Sequence, residues 1–186
     1  MLDGCNMELK VEGERVSLRK LKRSDAQSIY ENLQDKEISK YTTIKHPYKL
    51  QDAKWFINFT QNNWRKKKAY EYGIILKGED KVIGIISLMK IDYKNKNSEI
   101  GYWLGKRYWG KGLMTECLKL ILDLGFKKLK LKRLYAGVSH PNESSSKVLT
   151  NCGMKFEGRL RKNAFENGRW TDGLMYSILK EEYKKA

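Results

Sequence analysis

The feature that most constrains the fold is the stretch 98–116, which reads SEIGYWLGKRYWGKGLMTE. Its first part carries Ile100, Tyr102 and Leu104 at every second position, which predicts a β-strand. A helix is expected from about Lys111, and a basic turn with three glycines separates the two elements. Glycine lets backbone N–H groups approach a ligand closely, and a helix N-terminus carries partial positive charge. The stretch therefore predicts a phosphate-binding turn between a strand and a helix.

Three phosphate-binding motifs share features with this turn. A Walker A loop requires Ser or Thr where Gly112 stands, and the dinucleotide fingerprint requires glycine where Thr115 stands. The third pattern, Q/R-x-x-G-x-G/A, is matched in full by Arg107, Gly110 and Gly112. We therefore retain the third pattern and reject the other two.

Length and composition favour one domain over residues 1–186, with a loose terminus over 1–7. The 186 residues are 40% hydrophobic, which is enough for a full core. There is no run of ~18 apolar residues and no signal-peptide pattern, so we expect no membrane span and a cytoplasmic protein. The three cysteines lack metal-ligand spacing and the two histidines are too few for a typical zinc site, so no metal is expected.

The charge is strongly unbalanced, with 38 Lys and Arg against 22 Asp and Glu, a net charge of +16. Such a balance favours an anionic partner: nucleic acid, the ribosome, an anionic membrane surface or a polyanionic cofactor. The alternative is a lysine-rich surface that is simply solvated.

The remaining patterns predict alternating strands and helices. Strands are predicted over 15–21, 70–76, 81–91, 133–139, 154–164 and 169–179, and helices over 26–33, 50–67 and 142–151. Ser24-Asp25 is expected to cap the first helix, and Asn167-Gly168 to form the turn of the last hairpin. In the helix after the glycine turn, Glu116 is expected to face outward. The order indicates an α/β fold, a mixed sheet with helices on its faces.

A second motif, Asn142-x-x-Ser145-x-x-Val148-Leu149-x-x-x-Gly153-Met154, lies downstream. Together with the turn, it resembles the GNAT superfamily of acetyl-CoA-dependent N-acetyltransferases. The opening residues 15–26 and the closing residues 158–179 are similar to its RimJ/RimL-like branch, which includes ribosomal-protein N-terminal acetyltransferases. The resemblance implies the GNAT fold, a mostly antiparallel twisted sheet with a central splay between two parallel strands.

The resemblance also implies where the co-substrate acetyl-CoA binds. It should lie in the splay between the central strand and the strand 133–139, with its pyrophosphate on the backbone N–H groups of the glycine turn. Its pantetheine arm should pair with the backbone of the central strand. The cofactor-binding residues implied in this way are Trp103, Leu104, Arg107, Tyr108, Trp109, Gly110, Lys111, Gly112, Leu113, Met114, Asn142 and Ser145.

Two catalytic residues are expected on the same basis. Glu99 stands on the central strand where related enzymes place a catalytic glutamate, and attack by an amine requires a general base. The alternative for Glu99 is an ion pair with a neighbouring cation, or exposure to solvent at the start of the strand. Leu149 occupies the position of the tyrosine acid of many relatives, so Ser145 is the candidate to protonate the leaving thiolate. The alternative for Ser145 is cofactor binding alone.

The predicted reaction is acetyl transfer to an amine, with a ribosomal-protein or peptide N-terminus as the leading acceptor. A polyamine, a multiple cation, would need clustered carboxylates, and Glu31, Asp35, Glu37 and Glu71 are scattered in the sequence. Two alternatives stay open: a small-molecule acetyltransferase acting on a polyamine, amino sugar or antibiotic, and an inactive acetyl-CoA-binding module. Homo-oligomerisation is a further expectation, and the sequence leaves the oligomeric state open.

Overall fold

A computed structural model describes residues 7, 10–166 and 168–183 of the protein. In this part of the chain, eight strands form one sheet in the order β1-β2-β3-β4-β5-β6-β8-β7. The strands are β1 Lys10–Glu12, β2 Val16–Lys20, β3 Tyr70–Leu76, β4 Val82–Asp92, β5 Asn97–Leu104, β6 Arg133–Ser139, β7 Lys155–Glu166 and β8 Arg169–Leu179. The α-helices are α1 Ala26–Asn32, α2 Lys36–Ser39, α3 Leu50–Arg65, α4 Leu113–Asp123 and α5 Glu143–Asn151.

The sheet divides between β5 and β6, the parallel pair at its centre. These strands are in register only from Asn97 with Arg133 to Glu99 with Tyr135. Beyond that point β5 stays paired with β4 and β6 with β8, each in antiparallel fashion. The mostly antiparallel sheet with a central splay is therefore confirmed.

Helices cover both faces of the sheet. Helix α4 packs against one face of the sheet. Its side chains Cys117 and Ile121 belong to the same buried cluster as Tyr72 of β3 and Ile100 of β5. Helices α1 and α3 cover the other face, where Ile57 and Ile85 belong to a second cluster of buried side chains. Each face therefore has its own apolar core, as expected for a layered α/β domain.

Three details differ from the sequence predictions. Helix α4 begins at Leu113 and not near Lys111, because Gly112 has a left-handed backbone (φ 72°) that a helix cannot contain. Asp25 stands at the start of α1, but its carboxylate accepts hydrogen bonds from the buried Arg19 guanidinium, at 2.8 Å, and does not cap the helix. The short strand β1 was not predicted, since its three residues show no clear alternation.

Two predictions fall partly outside the described residues. Of the expected loose terminus, Met7 is described and is buried against the core, with 5% of its surface exposed. Of the expected Asn167-Gly168 turn, only Gly168 is described, and its φ of 77° suits a tight turn.

Candidate active site

A cavity of about 490 Å³ opens beside the splay, between the carboxyl end of β5, the start of α4 and helix α5. Most of the predicted cofactor-binding residues line it: Trp103, Leu104, Tyr108, Trp109, Gly110, Gly112, Leu113, Met114, Asn142 and Ser145. Arg107, Lys111 and Glu99 are not among its lining residues. On the side of α2 the cavity is bounded by Glu37, Ile38, Tyr41 and Thr42. It therefore joins the glycine turn to a region in which a second substrate can lie.

The glycine turn has the backbone geometry that an anion site requires. Gly110 and Gly112 both have left-handed φ values, 73° and 72°. Apart from Gly110 and its two chain neighbours, no described residue has an atom within 4 Å of the point where a side chain on Gly110 would begin. At the N-terminus of α4, the side chain at the capping position is only the hydrogen of Gly112 and caps no N–H group. The turn thus presents N–H donors and a helix N-terminus to the cavity, which fits the pyrophosphate of acetyl-CoA.

Replacing Gly110 with valine should weaken acetyl-CoA binding at least ~10-fold. A β-branched side chain is disfavoured at positive φ and would occupy the open space before the turn. Gly78→Val provides a matched control, because Gly78 also has positive φ (86°) with no described atom nearby and lies in the β3–β4 turn. Calorimetric titration with acetyl-CoA measures the effect. Equal affinity in the folded Gly110→Val and Gly78→Val proteins would contradict the assignment.

Two cations beside the turn contact an aromatic ring. The Arg107 guanidinium lies 4.8 Å from the ring centroid of Tyr108, and Lys111 Nζ lies 5.9 Å from it. Tyr108 itself lines the cavity. The positive charge expected near the pyrophosphate is therefore present, held against Tyr108.

A third cation, Arg15, was not predicted. Its Nη1 donates a hydrogen bond to the Lys111 carbonyl (2.9 Å), and its Nε pairs with Glu116 Oε2 (3.0 Å). Glu116, expected to face outward, also accepts hydrogen bonds from the backbone N–H groups of Arg15 and Val16. Burial raises the pKa of Glu116, but these hydrogen bonds outweigh it and leave the pKa below its usual value. Arg15 and Glu116 thus fix the glycine turn to β2.

Two residues with hydroxyl groups meet in the cavity. Tyr102 Oη donates a hydrogen bond to the carbonyl of Ser145 at 3.3 Å, and burial raises the pKa of Tyr102 to about 12. The side chain of Asn142 accepts a hydrogen bond from the N–H of Ser145 (3.1 Å), which caps α5. The sequence indicates only a strand position for Tyr102. The structure makes it a second candidate proton donor beside Ser145.

The indole of Trp109 shapes the end of β5. Its Nε1 donates a hydrogen bond to the carbonyl of Leu104 at 2.6 Å. The carbonyl of Leu104 is therefore already occupied. Beyond Glu99, by contrast, the edge of β5 that faces the splay has no partner strand within the described residues. This open edge is the part of β5 that can pair with an extended ligand.

Glu99 lies where the splay begins, as the last residue of β5 in register with β6. Its Oε2 is 2.7 Å from Lys90 Nζ, and 21% of its side chain is exposed. The hydrogen bond and charge of Glu99 raise the pKa of Lys90. An ion pair with a neighbouring cation is the alternative to a catalytic role for Glu99. The structure contains this ion pair. It also places Glu99 at the start of the splay, where a general base for the acceptor amine would be needed.

Residues 7, 10–166 and 168–183 contain neither a cluster of metal-ligating side chains nor a membrane-spanning helix. No group of three or more His, Cys, Asp or Glu side chains in these ranges is arranged to hold a metal ion. No helix in the same ranges is long and apolar enough to cross a membrane.

The chain belongs to the GNAT acetyltransferase family. A family model described as "Acetyltransferase (GNAT) domain" matches residues 15–155, and the predicted enzyme class is thereby confirmed. Among curated proteins, the chain is 36% identical over 170 residues to "Uncharacterized N-acetyltransferase p20" of Bacillus licheniformis, covering 91% of this chain and 96% of that protein. It is 25% identical over 169 residues to the spermidine N(1)-acetyltransferase of Escherichia coli K12, covering 90% and 88%.

Solved structures show the same fold. The ribosomal-protein-S5-alanine acetyltransferase of Vibrio fischeri superposes with a TM-score of 0.84 at 26% identity, covering 96% of this chain and 100% of that one. The RimJ protein of Mycobacterium smegmatis gives 0.86 at 23% identity, covering 95% and 90%. The acetyltransferase MccE, solved with acetyl-CoA and AMP, gives 0.80 at 26% identity, covering 89% and 93%. The predicted RimJ/RimL-like resemblance is confirmed.

Proposed function

We propose that this protein transfers the acetyl group of acetyl-CoA to the α-amine of a protein or peptide N-terminus, such as that of a ribosomal protein. The observation that carries the proposal is the composition of the cavity wall. Among the described residues that line the cavity, Glu37 is the one carboxylate, and Lys147 also lines it. A single carboxylate suits an acceptor with one amine better than a polyamine with several.

Different groups on this chain would bind the co-substrate and carry out the chemistry. The N–H groups of the glycine turn would hold the pyrophosphate, and the open edge of β5 would pair with the pantetheine arm. Acetyl-CoA, when bound, supplies the acetyl group as a thioester. Glu99 takes the proton of the acceptor amine, directly or through water, and Tyr102 or Ser145 donates a proton toward the sulfur.

The other acidic candidates for a polyamine site are each engaged or buried. Glu71 is buried, with 4% of its surface exposed. Asp35 lies 3.4 Å from Lys106, which already balances its charge, and Glu31 accepts a hydrogen bond from Gln27. The net charge of +16 also repels a small polycation at long range.

Proton chemistry favours an α-amine as well. Its reference pKa is about 7.7–8.0, against about 10.4 for a lysine amine. At neutral pH a much larger fraction of the α-amine is neutral and nucleophilic. One carboxylate is then a sufficient base.

A second candidate acceptor is a polyamine, because a curated relative that covers most of the chain is a spermidine acetyltransferase. The two acceptors are distinguished by a direct comparison at equal concentration and low salt. Peptides beginning with Ser, Ala or Met are expected to give a higher kcat/KM than spermidine, with thiol release from acetyl-CoA as the readout. A spermidine kcat/KM above that of every peptide would overturn the choice of acceptor.

A further inference from the structure

Several loops meet at the end of the sheet opposite the glycine turn. The N–H of Ile91, near the end of β4, donates to the carbonyl of Lys68 (3.5 Å), in the loop that follows α3. The N–H of Lys132 donates to Lys96 (2.7 Å), and the N–H of Lys180 donates to Lys132 (2.9 Å). These hydrogen bonds bring segments that are distant in sequence to one surface.

This surface is rich in unpaired positive charge. Eight lysines on it are exposed and form no ion pair with any residue in the described ranges; we call them the lysine end: Lys66, Lys67, Lys68, Lys94, Lys96, Lys130, Lys132 and Lys180. Most of the nearby carboxylates are already engaged: Glu157 pairs with Arg133, and Glu182 pairs with Lys155. Asp92 accepts hydrogen bonds from the backbone and side chain of Asn95, and Glu181 is exposed beside Lys180. Unpaired like charges at such proximity repel one another unless an anion lies between them.

Three residues of the lysine end have an unusual backbone conformation. Lys67, Lys96 and Lys130 all have left-handed φ values, 54°, 53° and 56°. Turn positions of this kind favour glycine or asparagine, because other side chains clash with the backbone there. Lysine also occupies the other two left-handed non-glycine positions among the described residues, Lys90 and Lys162, which are not part of the lysine end. The left-handed conformation therefore does not itself indicate a charge requirement, but it identifies three positions where asparagine can replace lysine without a change of backbone.

We propose that the lysine end binds the phosphate backbone of RNA. Lysine ammonium groups are point charges suited to phosphate contacts that do not read the base sequence. Among the described residues, the exposed large apolar side chains that could insert into a membrane lie on other segments: Trp55, Phe59, Trp109, Phe156, Leu160, Phe165 and Trp170. The choice of RNA over DNA rests on the proposed function, since a ribosomal N-terminus is presented among RNA. The RNA contact would hold the enzyme on its substrate particle while the opposite end of the sheet stays free.

The test uses the triple variant Lys67→Asn, Lys96→Asn, Lys130→Asn. Asparagine is favoured at left-handed positions, so these changes remove three charges without disturbing the turns. The control variant is Lys36→Asn, Lys54→Asn, Lys81→Asn, which removes three exposed lysines elsewhere. Fluorescence anisotropy with a labelled RNA duplex of about 20 base pairs is measured over a salt series. No acetyl-CoA or acceptor is present, so the result is independent of the proposed acetylation.

The triple variant should bind the RNA at least ~10-fold more weakly at low salt. The slope of log K against log salt should fall by about 3, roughly one for each phosphate that the variant no longer neutralises. The control variant should keep most of the affinity, and acetylation of a free peptide should be unchanged in both. Equal decreases in the two variants would overturn the assignment to the lysine end. Equally tight binding, at matched phosphate concentration, to duplex DNA or to vesicles containing phosphatidylserine would overturn the choice of RNA.

Discussion

Glu99→Gln is expected to slow acetyl transfer by ~10²-fold or more while acetyl-CoA binds with unchanged affinity, the usual scale for a lost general base. Glu99 lies where β5 and β6 part, and glutamine keeps its size while removing the proton-accepting charge. The rate deficit should shrink as the pH is raised, because the acceptor amine then deprotonates unaided. Turnover with a saturating peptide acceptor, measured from neutral to alkaline pH, tests both statements.

The ion pair with Lys90 provides the control for this prediction. Lys90 has a left-handed backbone (φ 48°), so Lys90→Asn removes the cation at a position that asparagine tolerates. If Glu99 served only to pair with Lys90, the two variants would behave alike. A base at Glu99 predicts a large decrease in rate for Glu99→Gln and a small one for Lys90→Asn. Full activity of Glu99→Gln at neutral pH would exclude Glu99 as the base.

The sequence predicts those parts of the site whose residues lie in one contiguous stretch. The strand, the two left-handed glycines and the helix start lie within 97–116, and local residue preferences decide their conformation. The parts it does not predict depend on contacts between distant segments. Arg15 and Glu116 are 101 residues apart, and neither carries a local signal of their pairing.

Ambiguous patterns account for a second group of differences. Tyr102 alternates with its neighbours like any core residue of a strand, and only the position of α5 brings its hydroxyl to Ser145. The basic residues at the end of α3 suggest a solvated helix end when taken alone. Their position at the same end of the sheet as Lys96 and Lys132 follows from the sheet topology, which the sequence indicates only in outline.

Glu71 is a further case, because no local pattern in the chain indicates its burial. It lies on β3 beneath α3, where Asn63 Nδ2 donates to its Oε1 at 2.6 Å. Its Oε2 is buried and has no hydrogen-bond partner among the described residues. Burial raises the pKa of Glu71 from 4.5 to about 7, although the hydrogen bond from Asn63 opposes the shift.

We therefore expect Glu71→Gln to stabilise the protein at alkaline pH by about 3 kcal/mol, since each pKa unit corresponds to about 1.4 kcal/mol. Below about pH 4.5 the carboxyl is protonated in both the folded and the unfolded chain, and the variant should match the original protein. Between about pH 4.5 and 7 the unfolded chain loses the proton while the folded one retains it, so the original protein loses stability as the pH rises. Above about pH 7 the difference should stay constant. Glutamine keeps the acceptor for Asn63 and removes the group that would ionise.

Urea unfolding of both proteins from about pH 4 to 9 measures the effect, and the difference between them cancels the other titrating groups. Glu71→Ala is the control: it leaves Asn63 Nδ2 without its acceptor and opens space under α3, so it should destabilise the protein at every pH. A gain for Glu71→Gln that does not depend on pH would show that Glu71 ionises alike in the folded and unfolded chains. A decrease in stability at alkaline pH would show that the folded protein holds the carboxylate in its charged form, with a partner for Oε2.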